Sequence, residues 1–147
     1  MRRSAPLALL AATAVAALSL ATPAMAGGRS FETTLLGANE VGTTGDADGS
    51  GSAEITINRG TGQICYSITV TGVAPVVAGH IHEAAVDASG PVVVSLLPSG
   101  TALSEGTTEG CVSVDRALAK EIAKDPSEYY VNVHNAEFPA GALRGQL

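Results

Sequence analysis

His80, His82 and His134 are the 3 histidines of the chain, and their spacing could make them a ligand set. His80 and His82 flank Ile81 in Ala78-Gly79-His80-Ile81-His82, while His134 ends the run Tyr129-Tyr130-Val131-Asn132-Val133-His134. Successive side chains of a β-strand point to opposite faces. If Ile81 faces a core, His80 and His82 share the other face; if Val131 and Val133 face it, Tyr130, Asn132 and His134 share the other. A His-X-His pair on one strand sets its Cα atoms about 7 Å apart, near enough for both rings to reach one ion. A third histidine from a neighbouring strand would complete a three-nitrogen site with an open position, suited to copper or zinc. In Ala142-Leu143-Arg144-Gly145-Gln146-Leu147 the same alternation turns Leu143 and Leu147 inward and Arg144 outward with the histidines. The competing reading leaves three outward imidazoles bonded to loops or to water.

Positioning such residues requires strands, and the sequence is rich in them. From Ser30 onward, short β-type runs are broken by Gly, Pro, Asn and Asp: Phe31–Leu36, Ser52–Asn58, Gln63–Gly72, Val77–Glu83, Val92–Leu97, Glu109–Val114, Tyr129–Asn135 and Ala142–Leu147. About eight short antiparallel strands at this spacing predict an all-β sandwich or barrel. Ala53, Ile55 and Ile57 alternate inward, as do Ile64, Tyr66, Ile68 and Val70, and Asn58-Arg59-Gly60-Thr61-Gly62 between them reads as a hairpin turn. One short helix is expected from Arg116 to about Lys124: Asp115 caps its start, Leu118 and Ile122 lie one turn apart, and Pro126 follows its end. Gly42–Gly51 and Pro98–Thr108 read as surface loops.

The N-terminal 26 residues form a separate object. Arg2 and Arg3 make a basic start, Pro6 to Leu20 is apolar and Ala-rich, and Ala24-Met25-Ala26 fits a small-residue cleavage site. The expectation is a signal peptide over 1–26 and one exported domain over 27–147, without a membrane anchor, because the apolar run is too short for a permanent span. Loss of Arg2 and Arg3 would deepen the formal charge of −6 by two more. Nucleic acid and anionic membrane surfaces are poor partners for that balance. The 2 cysteines, Cys65 and Cys111, both lie in the exported part, where disulfides persist. A Cys65–Cys111 bridge is the direct reading and two free thiols the alternative. Both sulfurs fall on the less apolar faces of their strands.

Other chemistries find less support. Asp46-Ala47-Asp48-Gly49-Ser50-Gly51 starts like a calcium loop, but an EF-hand count from Asp46 places Ile57 where a bidentate acid belongs. No Gly-X-Ser-X-Gly elbow lies between a strand and a helix. Glu83 and Asp87 lie near His82 in sequence, and either could orient an imidazole. With no tryptophan and few aromatic residues, no stacking platform for sugars or bases is expected.

Read together, Leu36-Gly37-Ala38-Asn39-Glu40-Val41, Gly49-Ser50-Gly51, Ile64-Cys65-Tyr66, Ala78-Gly79-His80-Ile81-His82, Gly90-Pro91-Val92-Val93-Val94, Tyr130-Val131-Asn132-Val133-His134 and Gly141-Ala142-Leu143-Arg144-Gly145-Gln146-Leu147 closely resemble the CHRD domain, named for chordin. Asn135 stands where that family usually has threonine, and Ala142 where it usually has glutamate. The resemblance implies an extracellular, all-β, Greek-key domain, found in bacterial secreted proteins and in chordin, where the wider protein binds growth factors; it implies no established catalytic activity. A weaker resemblance links Gly79-His80-Ile81-His82-Glu83, Val133-His134 and Arg144 to the copper-site strands of copper/zinc superoxide dismutase. Carried over by position, His80, His82 and His134 would ligate copper and Arg144 would guide an anion, although no histidine bridges to a zinc site. The expectation is a secreted, non-catalytic binding or structural module with a three-histidine site for copper, zinc being less favoured, whose partner is a metal ion or an extracellular protein. Its rivals are a superoxide-dismutase-like copper enzyme and a protein-ligand domain without metal, which a large exposed apolar patch would favour.

Overall fold

The fold comes from a computed structural model that describes residues 28–97 and 103–147. The signal peptide expected over 1–26 lies outside the described residues, as does the 98–102 part of the second expected loop. The described residues form eight strands in order: β1 (Arg29–Leu36), β2 (Ser50–Asn58), β3 (Gln63–Thr71), β4 (Val76–Glu83), β5 (Val92–Ser95), β6 (Gly106–Ser113), β7 (Tyr129–Asn135) and β8 (Leu143–Gln146). Among the described residues one α-helix, α1 (Arg116–Lys124), precedes β7. The two expected loops are shorter than their glycine content suggested, because β2 begins at Ser50 and β6 at Gly106. Gly51 is paired with Leu35 on one side and Val70 on the other. It is required there because a Cβ would strike the Thr69 carbonyl.

The strands make one antiparallel sheet in the order β5-β4-β7-β8-β1-β2-β3-β6. It curls into a nearly closed barrel. Beyond the end of β5, Leu103 pairs with Val76 of β4 through two backbone hydrogen bonds of 2.9 Å, drawing the lead-in to β6 against the opposite edge of the sheet. The β3-to-β4 and β6-to-β7 connections each cross over intervening strands, which is the Greek-key pattern. Alternation decides what fills the interior: Leu35, Ile55, Ile57, Ile64, Ile68, Val70, Ile81, Val131, Val133 and Leu143 are wholly buried.

Helix α1 starts where the Asp115 carboxylate accepts the Ala117 amide at 2.6 Å, satisfying one of the unpaired donors of the first turn. It buries Ala119, Ile122 and Ala123 against the barrel. The β2–β3 turn is closed by Asn58, whose Oδ1 accepts the Gly60 and Thr61 amides. Cys65 and Cys111 face each other directly across β3 and β6 and form the disulfide, the second of the two readings, free thiols, being excluded. The Asp46–Gly49 segment is a turn in which Asp46 Oδ1 accepts the amides of Asp48 and Gly49. Among the described residues, no helix is long and apolar enough to cross a membrane.

Candidate metal centre

β4 and β7 are neighbours, and their register sets the histidine geometry. His82 lies opposite Tyr130, His80 opposite Asn132, and Ala78 opposite His134. With Ile81, Val131 and Val133 packed inside, His80, His82, Asn132 and His134 share the outer face of the barrel. His134 is thus the diagonal neighbour of His80, a relationship within reach of long side chains. One candidate ligand nitrogen from each of His80, His82 and His134 lies within 4.8 Å of the others. Whether the three imidazoles come together was open in the sequence; the strand register gathers them into one group.

Two backbone carbonyls fix the rings. His82 Nδ1 donates to the Gly90 carbonyl at 2.9 Å and His134 Nδ1 donates to the Pro139 carbonyl at 3.1 Å. A carbonyl can only accept, so Nδ1 carries the proton in both rings and Nε2 is left with a bare lone pair. His134 Nε2 accepts from His80 Nδ1 at 3.0 Å, whereas His82 Nε2 is buried and has no partner. A buried polar atom without a hydrogen bond is costly; here it is a lone pair on a ring that stands 5.7 Å from His80 and 6.2 Å from His134 between centroids. Imidazole held by a carbonyl at one nitrogen and presenting the other is the usual arrangement of a metal-binding histidine.

Charge favours the same form. Burial, and then the proximity of His134 and His82, lower the His80 pKa to about 4. Burial also lowers that of His134, against the Pro139 hydrogen bond, which raises it. Both rings are therefore neutral at neutral pH, the state in which imidazole ligates.

The carbonyls are delivered by turns. Gly90 belongs to the β4–β5 loop, residues 84–91, which folds back over the outer face. A Cβ on Gly90 would collide with the Glu83 carbonyl, so only glycine lets the chain turn there. Pro139 belongs to the β7–β8 turn, organised by Asn135, whose Oδ1 accepts the Glu137 and Phe138 amides at 3.0 and 2.8 Å. The position noted for its departure from threonine thus shapes the support of His134.

Arg144 shares the outer phase, opposite Asn132, but it is not open to solvent. The 84–91 loop covers it, leaving it 1 % exposed. Its guanidinium donates to the carbonyls of Ala88 at 2.8 Å and Ala85 at 2.9 Å, and lies 3.5 Å above the Tyr130 ring. Guiding an anion from solution requires an exposed charge, and this one is spent inside. The expectation of an anion-guiding Arg144 is corrected on that ground. Sequence reasoning also missed Glu40, whose carboxyl is pushed up by burial while the Asn132 hydrogen bond and the Arg144 charge pull it down. Glu40 lines a cleft of about 440 Å³ with Leu36, Ala38, Thr43 and Thr44. None of the histidines borders that cleft. Of the acids near His82 in sequence, Glu83 and Asp87 are exposed and make no hydrogen bond to it.

No curated protein and no solved structure matches the chain. A family model does: that of the CHRD domain matches residues 31–147, a span that holds the three histidines, both cysteines and the whole barrel from Phe31 onward. The chain therefore belongs to the CHRD domain family.

Proposed function

We propose that this protein is an exported CHRD-family binding module that holds copper through His80, His82 and His134 without turning over a substrate. The observation that carries the reading is the buried, unpartnered Nε2 of His82 beside the His80–His134 pair. Its lone pair has no use in the metal-free fold. Three imidazole nitrogens, with no thiolate or carboxylate in the group, favour copper over zinc, since imidazole sites follow the general rise in affinity towards copper(II). Export is supported by the basic-then-apolar N-terminal pattern and by a disulfide, which persists in oxidising compartments. The non-catalytic reading is supported by the burial of Arg144, which leaves no exposed cation from that position to gather an anionic substrate.

A second reading, redox chemistry on a small oxidant such as superoxide, is favoured by one feature: three ligands leave an ion with an open position. One experiment separates them. The full chain, stripped of metal with its disulfide intact, is titrated with copper(II) and zinc(II) beside a His80→Ala/His134→Ala variant. One-to-one binding that the variant loses, with copper the tighter, is the expected result. Unchanged binding in the variant, or none in the wild type, defeats the metal reading. Superoxide consumption by the copper-loaded chain would replace the binding module with the enzyme.

A further inference from the structure

Arg144 has the largest of the side chains that are less than 2 % exposed among the described residues. A buried guanidinium is expensive unless every donor is used well. Its hydrogen bonds go to Ala88, Ala85 and the Gln146 side chain at 2.8, 2.9 and 3.3 Å, and none goes to a carboxylate. Two of these acceptors are main-chain carbonyls of the 84–91 loop, a segment with no strand or helix of its own. That same loop carries Gly90, whose carbonyl fixes His82.

A second route joins the same two residues. The Arg144 guanidinium lies on one face of Tyr130, and His82 stacks on that ring with centroids 4.8 Å apart and planes inclined by 13°. Guanidinium, phenol and imidazole therefore form a continuous stack. The Tyr130 hydroxyl accepts the Gly90 amide at 3.4 Å, tying the stack to the loop. Gln146 reinforces the loop from the same strand by donating to the Ala84 carbonyl at 2.9 Å.

We infer that Arg144 is a positioning residue for His82: through the loop it holds the Gly90 carbonyl on Nδ1, and through Tyr130 it fixes the plane of the ring. This rests on the reading of the three histidines as a metal centre, but its first consequence is visible without metal. Arg144 selects the tautomer and orientation of His82 and leaves those of His134, which depend on Pro139, untouched.

The test compares the metal-free full chain as wild type, Arg144→Lys and Arg144→Met by nitrogen NMR of the imidazoles, then titrates each with zinc(II). Lysine keeps the charge but loses the flat fork that spans two carbonyls while lying on a ring. In the wild type, His82 should be wholly Nδ1-protonated. In the variants it should become a tautomer mixture while His134 keeps its signature, and the zinc dissociation constant should rise at least tenfold, the usual effect of losing an outer-shell partner. Should Arg144→Met fail to fold, Arg144→Lys decides. The inference is overturned by a folded variant whose His82 signals and zinc affinity match the wild type within twofold. It is equally overturned if His82 and His134 change together, which would mean general loosening. A wild type that binds no zinc and no copper would retire the metal centre, and the tautomer comparison would still decide whether Arg144 positions His82.

Discussion

Nδ1 of His80 and Nε2 of His134 are hydrogen-bonded at 3.0 Å, so two of the three proposed ligands are already partners. An ion held by His80, His82 and His134 would break this hydrogen bond, and for His80 to ligate through Nδ1 as a neutral ring its proton would have to pass to Nε2. A metal that binds the folded chain alone stabilises it by about 2.7 kcal/mol at one hundred times its dissociation constant. Melting curves with copper(II) at that excess should shift upward for the wild type and stay in place for His80→Ala or His134→Ala.

Acid should weaken the metal-free fold through the same rings. His80 is held down to about 4 by burial and its neighbours, and His134 is also lowered. The unfolded chain takes up both protons near pH 6.5. Between those limits the unfolded state binds more protons, so stability rises with pH across the window from about 4 to 6.5 and falls as pH drops through it. Urea midpoints at pH 4.5 and 7 should differ, and the difference should shrink in a His80→Gln/His134→Gln variant. An unchanged difference would assign the acid sensitivity to other groups.

Ile81 and His82 are adjacent in sequence and opposite in role. Ile81→Ala opens a cavity in the barrel interior, where the side chain is 0 % exposed, and should cost roughly 2–5 kcal/mol. His82→Ala removes a ring with one unsatisfied nitrogen and should reduce metal affinity far more than stability. Chemical denaturation of both metal-free variants, followed by copper titration, checks the pair. Equal destabilisation would place His82 among the structural residues.

Gly90→Ala tests the loop without touching a ligand. Its Cβ would push against the Glu83 carbonyl and move the Gly90 carbonyl away from His82. Metal affinity should fall about 10–100-fold with the barrel intact by circular dichroism.

Reducing the Cys65–Cys111 bridge should lower stability without abolishing the sheet. The cysteines are 46 residues apart in sequence, for which chain entropy gives about 4 kcal/mol. The β3–β6 hydrogen bonds remain to hold the register. Denaturation with and without reductant measures the loss, and metal binding should survive it, because the bridge lies on strands other than those that carry the histidines.

Much of this was legible in the chain. Alternation alone put Ile81, Val131 and Val133 inside and the histidines outside, because the period of a strand is unambiguous over seven or eight residues. Asp115 and Pro126 bracketed the helix at both ends. What alternation could not reveal was the covering of an outer face. Arg144 was assigned its face correctly and its environment wrongly, since residues 84–91 have no periodicity to show that they fold back over β8. Main-chain carbonyls leave no residue signature either, so Gly90 and Pro139 were invisible as supports; the Gly90-Pro91 pair signalled a turn and nothing about its target.

β1 pairs with both β2 and β8, the last contact joining Leu36 to Arg144 near the C-terminus. The wall of the barrel therefore cannot be completed by any N-terminal fragment, however long, until the final strand is present. A chain made from one end to the other keeps its apolar interior open until β8 has been made, and such distant pairings make folding slow. Deletion of residues 143–147 would remove β8 and Arg144 together and leave β1 and β7 facing an unfilled gap. Timing, as much as stability, is thus written into the neighbour relationship of the first and last strands.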